Sequence, residues 1–350
     1  MARPDMPLSV LDLAIVGEGS SHGEALRASV DLAQRAEALG FRRHWVAEHH
    51  NMPGIASSAP GVLAATLAAS TETIRIGSGG VMLPNHPPLV VAEQFGMLEA
   101  LHPGRIDLGI GRAPGTDPVT AAALRRSADP LSDEDFPRQL AELVAFFTGG
   151  FPPESALSRV TAVPGHGDMP EIWLLGSSGY SAQLAGILGL RFSFAHHFSP
   201  RNTLPALELY RRHFQPSEYL DEPRAMVAVA VIAAEDDERA RWLAGPSRLS
   251  MARLRTGHPS RFPTPEEAAA NPLTPGQQSS IRSLSGSAVI GGPETVRSGL
   301  GELIERTVAD ELMITTMVHD HRDRIRSYEI VADLFALERP AAAGSGRVPA

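Results

Sequence analysis

Apolar residues along the chain follow two spacings, one typical of strands and one typical of helices. A compact apolar run at residues 8–16 is followed at residues 24–39 by apolar residues three and four positions apart, and Gly40 then occupies a helix-ending position. The same succession recurs towards the end of the chain. It predicts strands at residues 8–16, 41–46, 74 onward, 105–110, 172–175, 191–195, 225–234 and 311–316.

Each predicted strand is followed by a stretch with helical periodicity. Eight alternations of strand and helix, without a break into two compositional halves, predict an α/β fold of the (β/α)8 or TIM-barrel type. An open, doubly wound sheet is the alternative, but residues 17–23 lack the third glycine at the spacing that its nucleotide-binding fingerprint requires. The predicted helices include residues 24–39, 60–70, 89–101, 134–147, 204–214, 235–244 and 325–337, and one that begins near Pro293.

Three stretches lack a clear periodic pattern. Residues 113–133 show only a short helix, residues 149–170 are proline-rich with one hairpin, and residues 245–286 are rich in Ser, Pro and Arg. We interpret the last stretch as a lid-like insertion before the final βα unit, because loops of that length in compact domains are usually lids or inserts. We expect one domain over residues 1–338 and a disordered tail at residues 339–350.

Composition narrows the classes of partner and chemistry. The 350 residues carry a net charge of −9 with no basic cluster, so nucleic acid and anionic membranes are poor candidate partners. The chain has no cysteine, which excludes disulfides, thiolate metal sites and a cysteine nucleophile. It also lacks an apolar signal core and any run of about 18 apolar residues. We therefore expect a cytoplasmic protein.

Polar and glycine-rich residues occur where the predicted strands end. In a TIM barrel, functional residues gather on the loops that follow the strands. The sequence therefore predicts a single site at one end of the barrel. The residues concerned are His49, His50, Gly79, Gly80, Arg112, Ser177, Ser178, His196, His197 and His319.

Two of these groups indicate particular ligand chemistry. Gly79 and Gly80 would let a flat group approach the backbone closely, although a β-bulge or turn is the ordinary explanation. Residues 177–180 directly precede a helix, where amide N–H groups and hydroxyls suit a phosphate, although they could form an ordinary helix cap. Arg112 could reach the same phosphate or could simply be solvated.

Several motifs together resemble the bacterial luciferase-like flavin monooxygenase family. The similarity extends over about residues 8–337, in the order and spacing of the family, and is nearest to its single-chain, luciferase-like oxidoreductases. The motifs are Glu48-His-His50, Gly77-Ser-Gly-Gly-Val-Met-Leu-Pro84, Val91-Ala-Glu-Gln-Phe95, the stretch from Pro103 to Asp117 and Gly291-Gly-Pro-Glu-Thr-Val296.

The resemblance implies a TIM barrel that binds FMN at its carboxyl-terminal end. Gly79 and Gly80 match a position that often holds a non-proline cis peptide against the isoalloxazine ring. Arg112 matches the phosphate arginine of the family, and Ser177, Ser178, Gly179 and Tyr180 match its phosphate loop. His49, with its neighbour His50, matches the histidine thought to assist at the flavin. These two histidines are the expected catalytic residues.

The activity implied is a two-component, FMN-dependent monooxygenase. A separate flavin reductase would supply reduced FMN, which would react with O2 to form a C4a-hydroperoxyflavin that oxygenates a small organic substrate. One residue departs from luciferase itself, since Gly111 replaces a reactive cysteine before the phosphate arginine. Light emission is therefore not expected. Helices near residues 60–70 pack together in dimers of the family, so a homodimer is compatible with the sequence.

Other functions remain as alternatives. Three histidine groups could suit a metal-dependent TIM-barrel hydrolase, but adjacent histidines point to opposite faces, so each pair offers only one inward ligand. We expect no metal site. A non-catalytic flavin-binding protein would share the fold without turnover. A deazaflavin-dependent dehydrogenase is related by fold, but the glycine-rich motifs match the FMN group more closely.

Overall fold

Eight parallel strands close into a barrel in the computed structural model, which describes residues 6–113, 115–125, 135–281 and 287–339. The strands are β1 Leu8–Asp12, β2 Arg43–Val46, β3 Arg75–Met82, β4 Ile106–Gly111, β5 Glu171–Gly176, β6 Arg191–Ala195, β7 Ala225–Ala233, β8 Val289–Gly291 and β9 Glu311–Thr315. Strands β1 to β7 pair in chain order, and β9 joins β7 to β1. The short strand β8 pairs only with β7. The expected TIM barrel is confirmed.

Helices surround the barrel and cover its outer face. The first, α1, begins with a capping box in which Ser21 and Glu24 satisfy each other's backbone N–H groups. The described helices are α1 His22–Ala38, α2 Pro60–Ala69, α3 Pro88–Leu101, α4 Pro118–Arg125, α5 Asp135–Thr148, α6 Gly179–Ile187, α7 Thr203–His213, α8 Asp237–Arg255, α9 Pro265–Ala270, α10 Pro275–Ile281, α11 Pro293–Thr307 and α12 His321–Leu334.

A buried ionic network closes the amino-terminal end of the barrel. The Arg43 guanidinium lies 2.8 Å from Asp107, 2.8 Å from Glu311 and 3.1 Å from Glu171, all near the starts of their strands. Burial alone would lower the pKa of Arg43, but the three carboxylates outweigh it and raise that pKa. The same Asp107 carboxylate accepts a hydrogen bond of 2.8 Å from Trp45. The barrel is therefore filled at this end.

Large side chains fill the layer above the ionic network. Trp45 and Trp173 meet edge to face with their ring centroids 5.5 Å apart, and Leu11, Met226 and Met313 pack around them. These residues alternate along their strands with side chains that face the surrounding helices. Only the carboxyl-terminal end of the barrel interior remains open.

The predicted unstructured insertion is largely helical, which corrects the sequence interpretation. Helix α8 runs through Pro246 to Arg255, and α9 and α10 follow it. Asp236 caps α8 by accepting from the Arg239 N–H, and Leu243 and Leu249 keep its inner face buried. Packing of that face outweighs the helix-breaking tendency of an internal proline. Residues 282–286 lie outside the described part of the insertion.

Smaller differences concern turns and helix boundaries. Residues 149–170 form turns and a short 3-10 helix instead of the predicted hairpin. The final helix begins at His321, four residues earlier than predicted, because Asp320 caps it by accepting from two backbone N–H groups. The short helix predicted within residues 113–133 is present as α4, whereas residues 114 and 126–133 of that stretch and the tail beyond Arg339 lie outside the described residues.

Candidate active site

A cavity of about 710 Å³ occupies the carboxyl-terminal end of the barrel. Strand ends form its floor and walls, and the insertion between β7 and β9 covers it. Phe262 of the insertion exchanges backbone hydrogen bonds of 2.8 and 2.9 Å with Glu18 and Val16 in the loop after β1. The cavity has the size and the mainly apolar lining of a small-molecule site.

The end of β3 gives this cavity a wall without side chains. Gly79 and Gly80 are joined by a cis peptide bond, and the pairing of β3 with β4 shifts register directly after it. A Cβ atom on Gly80 would lie 2.7 Å from the carbonyl oxygen of Gly109, so the backbone leaves no room for a side chain there. Both glycines line the cavity, as expected for a surface that accepts a flat ring.

Arg112 lies beside the start of α6. Its guanidinium stacks on the Tyr180 ring with 4.5 Å between its central carbon and the ring centroid. Arg112, Ser177 and Ser178 all line the cavity. Ser178 is the N-cap residue of α6, but its side chain makes no capping hydrogen bond. The first-turn N–H groups, beginning at Gly179, together with the arginine, form an arrangement suited to an anion.

His49 lines the cavity beside these groups. Its Nδ1 atom is buried and has no hydrogen-bond partner among the described residues. Burial lowers the pKa of His49 to about 4, with the Glu48 charge opposing this shift and His50 reinforcing it. His49 is therefore a neutral imidazole at pH 7 and can either accept or donate a proton.

His50 does not line the cavity and is held instead by Glu48. The buried Glu48 carboxylate accepts from His50 at 2.8 Å, from the Met82 backbone N–H at 2.8 Å and from His86 at 2.9 Å. Burial raises the pKa of Glu48, but hydrogen bonds and charges from His86 and His50 outweigh it and hold that pKa below its usual value. Glu48 thus fixes the loops after β2 and β3, a role that sequence reasoning missed.

His197 is a second cavity histidine, expected at the site from the sequence but given no catalytic role there. Its Nδ1 lies 3.0 Å from the carbonyl oxygen of Ala228, which requires a proton on Nδ1 and leaves Nε2 as the acceptor. Burial lowers the pKa of His197 to about 4, although the hydrogen bond to Ala228 opposes this shift. His196 bonds to Thr203 and does not line the cavity. Each histidine pair thus provides one inward ring, as the alternation along a strand implies.

The remaining sequence candidates lie away from this cavity. His319 bonds to the Glu18 carbonyl at 3.1 Å and does not line it. In the described part of the chain, no group of three His, Asp or Glu residues is placed to hold a metal ion. Among the same residues, no helix combines the length and hydropathy that crossing a bilayer requires.

Comparison of the sequence with known proteins identifies the family to which this chain belongs. The sequence matches the luciferase-like monooxygenase family over residues 6–311. It is 46% identical over 334 residues to a luciferase-like monooxygenase of Escherichia coli K12, covering 95% of this chain and 98% of the relative. It is 35% identical over 329 residues to the N-acetyl-S-alkylcysteine monooxygenase of Bacillus subtilis 168, covering 93% and 97% of the two chains.

Solved structures agree with this assignment. The crystal structure of apo-MsnO8 superimposes with a TM-score of 0.87 at 39% identity, covering 96% of this chain and all of that one. The oxygenating constituent of 3,6-diketocamphane monooxygenase from Pseudomonas putida, in complex with FMN, shares the fold with a TM-score of 0.68 at 20% identity, covering 95% and 98%. The chain that forms this cavity is therefore a member of the luciferase-like monooxygenase family.

Proposed function

We propose that this protein is an FMN-dependent monooxygenase that inserts one atom of O2 into a small organic substrate. The main support for the proposal is that three features line the same cavity. These features are the side-chain-free wall at Gly79 and Gly80, the Arg112 guanidinium beside the start of α6, and the neutral His49 imidazole. Family membership and a neighbour of the same fold solved with FMN support it.

The residues present fit FMN at both ends of the molecule. The phosphate would bind to Arg112, to the Ser177 and Ser178 hydroxyls and to the backbone N–H groups at the start of α6. The flat ring would lie against the glycine wall, where a Cβ on Gly80 would disturb the backbone. Gly179 and Tyr180 would act through backbone N–H groups and through the stack on Arg112.

When bound, reduced FMN from a separate flavin reductase would supply the two electrons with which one atom of O2 enters the substrate and the other, with two protons, leaves as water. Arg112 and α6 hold the cofactor in place, and the insertion that contains α8 to α10 limits the access of water. His49, which carries no charge at pH 7, exchanges a proton with the reacting oxygen.

Isotopically labelled O2 gives a direct test of this function. The protein is supplied with FMN, NADH and a flavin reductase, together with a panel of thioethers chosen because one relative is an N-acetyl-S-alkylcysteine monooxygenase. Mass spectrometry should detect one labelled oxygen atom in a product that does not form without the protein. A non-catalytic flavin-binding protein would bind FMN but leave the whole panel unlabelled, and that result would contradict the proposal.

We also propose that two copies associate through α2 and α3. Val62 on α2 is 70% exposed, and Leu101 on α3 is 66% exposed. Met97 and Val90 lie four and eleven positions before Leu101, so the three residues share one face of α3. Contiguous exposed apolar surface of this kind often marks a protein interface.

A further inference from the structure

Arg248 is a cation of the cavity that the proposed flavin site does not use. It lies in the middle of α8 and lines the cavity together with Ser247, Met251 and Leu254 from the same helix. Its side chain is exposed, and no described residue forms an ion pair or a hydrogen bond with its guanidinium. An arginine that faces a ligand cavity without a protein partner is available to an anionic ligand.

The charges that line the cavity are of one sign. Arg112 and Arg248 both line it, and no aspartate or glutamate is found among the described lining residues. This contrasts with the whole chain, whose net charge is −9. A cavity with two cations and no described carboxylate favours ligands that bring negative charge of their own. One such charge is the phosphate expected at Arg112.

The two arginines come from different segments at the rim of the barrel. Arg112 follows β4 and stacks beside the start of α6, which follows β5. Arg248 belongs to α8, which follows β7, and in the ring of strands β6 lies between β5 and β7. A phosphate held at Arg112 therefore leaves Arg248 for a second anionic group, on the side of the cavity that the insertion covers.

Many of the side chains that line this covered side of the cavity are apolar. They provide contact surface but little hydrogen-bonding capacity, which suits the body of an apolar molecule. The lining residues from the insertion and the neighbouring strand ends include Met251, Leu254, Phe262, Ile281, Ile290 and Met317.

We infer that the substrate of this enzyme is an organic carboxylate with an apolar body, whose carboxylate binds Arg248 while its body packs against the apolar face of the insertion. The inference rests on the proposed function, since it names the substrate class of that same site. The planar guanidinium of Arg248 can bind a carboxylate through two parallel hydrogen bonds. Because no described residue pairs with Arg248, the carboxylate does not have to displace a protein group.

A matched pair of probes tests this assignment. We choose 3-(benzylsulfanyl)propanoate and 3-(benzylsulfanyl)propanamide, which differ only in the charged group, and measure their affinities for the FMN-saturated protein by calorimetry. The acid should bind about tenfold more tightly than the amide. Arg248→Gln should remove this difference by weakening the acid and leave the amide unchanged. Arg255→Gln, on the exposed last turn of α8 and outside the cavity lining, is the control and should behave like the parent.

Equal affinities for acid and amide, or an unchanged preference in Arg248→Gln, would overturn the inference. Loss of FMN affinity in Arg248→Gln would also overturn it, because the arginine would then serve the cofactor. Failure of the proposed function looks different, since the parent would then bind no FMN or incorporate no labelled oxygen. The acid and the amide can still be compared on the FMN-free protein in that case.

Discussion

Burial decides the protonation state of the two cavity histidines. His49 and His197 both have a pKa lowered to about 4, chiefly because the folded protein removes their rings from water. Neutral rings can exchange protons with a reacting oxygen without bringing a permanent charge into an apolar cavity. The outward histidines, His50 and His196, are instead bound to Glu48 and Thr203. In each pair of adjacent histidines, one ring thus lines the cavity and the other is bound to a protein side chain.

The lowered pKa of His197 predicts a pH-dependent stability. Its pKa is about 4 in the folded state and about 6.5 in the unfolded state, so the unfolded chain binds the proton more tightly. Stability should be fully present above pH 6.5 and be lost as the pH falls towards 4. Urea unfolding at pH 7 and pH 5 should show that His197→Gln reduces the difference between the two free energies of unfolding by about 2 kcal/mol. An unchanged difference would contradict the buried, neutral state.

Removal of the His49 ring predicts a catalytic defect without a binding defect. His49→Ala should lower the rate of oxygen incorporation about a hundredfold, because a positioned proton-transfer group is lost. FMN affinity should stay within about threefold of the parent, since the proposed phosphate contacts come from Arg112 and α6. His196→Ala, which lies outside the cavity lining, is the matched control and should keep most of the activity. A fully active His49→Ala would remove the assignment.

At the scale of elements, the insertion between β7 and β9 gives the barrel its cover. Helix α8 presents Ser247, Arg248, Met251 and Leu254 to the cavity, while Leu249 packs away from it. These positions recur at helical spacing, so a loop with the same residues could not hold them on one side. The part of the cavity wall that these four residues form therefore depends on a helix that extends through Pro246.

The exposed apolar faces of α2 and α3 predict a dimer. The double variant Val62→Asp with Leu101→Asp should become monomeric, because each charge would be desolvated in the interface. Light scattering on the purified protein measures the mass directly. Val119→Asp is the control, since Val119 on α4 is 80% exposed but lies on neither helix. A monomeric parent, or an unchanged mass in the double variant, would contradict the proposed interface.

In the whole molecule, the two ends of the barrel differ: one end is closed by a buried ionic network, and the other contains the cavity. Arg43 and its three carboxylates close the amino-terminal end, the tryptophan layer fills the middle, and the cavity occupies the other end. The ionic network stays out of reach of the cavity because Trp45 and Trp173 lie between them. Changes at one end should therefore leave the other end intact.

Substitution of the central arginine tests this division. Arg43→Met should lower the free energy of unfolding by about 3–5 kcal/mol, because it leaves buried carboxylates without a counter-charge. The FMN affinity of the folded fraction should not change. Arg212→Met, at an exposed pair with Glu208, should have little effect on urea unfolding. A stability of Arg43→Met within about 1 kcal/mol of the parent would contradict a structural role for the network.

The sequence indicated the barrel and much of the cavity, since period-two runs, glycines and polar strand ends are local signals. Gly79, Gly80, Arg112 and the Ser177 loop were all expected at one end and are found there. The choice between His196 and His197 depends on which side of the barrel wall each faces, and both occupy one strand end. The roles of Glu48 and Arg248 depend on contacts between segments distant in sequence.

The extent of α8 could not be predicted for a similar reason. Proline and polar residues at 245–255 weaken the helical signal, and only packing of Leu249 and Ala252 against the barrel supplies the compensating burial. The capping hydrogen bonds of Asp236 and Asp320 are local, and a search for capping residues finds both.

A comparison of FMN with riboflavin tests the central claim most directly, because the two flavins differ only in the phosphate. Titrations followed by flavin fluorescence should show that the parent binds FMN at least about tenfold more tightly than riboflavin. Arg112→Gln should lose most of this preference by weakening FMN while leaving riboflavin affinity unchanged. Equal binding of both flavins by the parent, or a preference that survives in Arg112→Gln, would contradict a phosphate held by Arg112 and the start of α6.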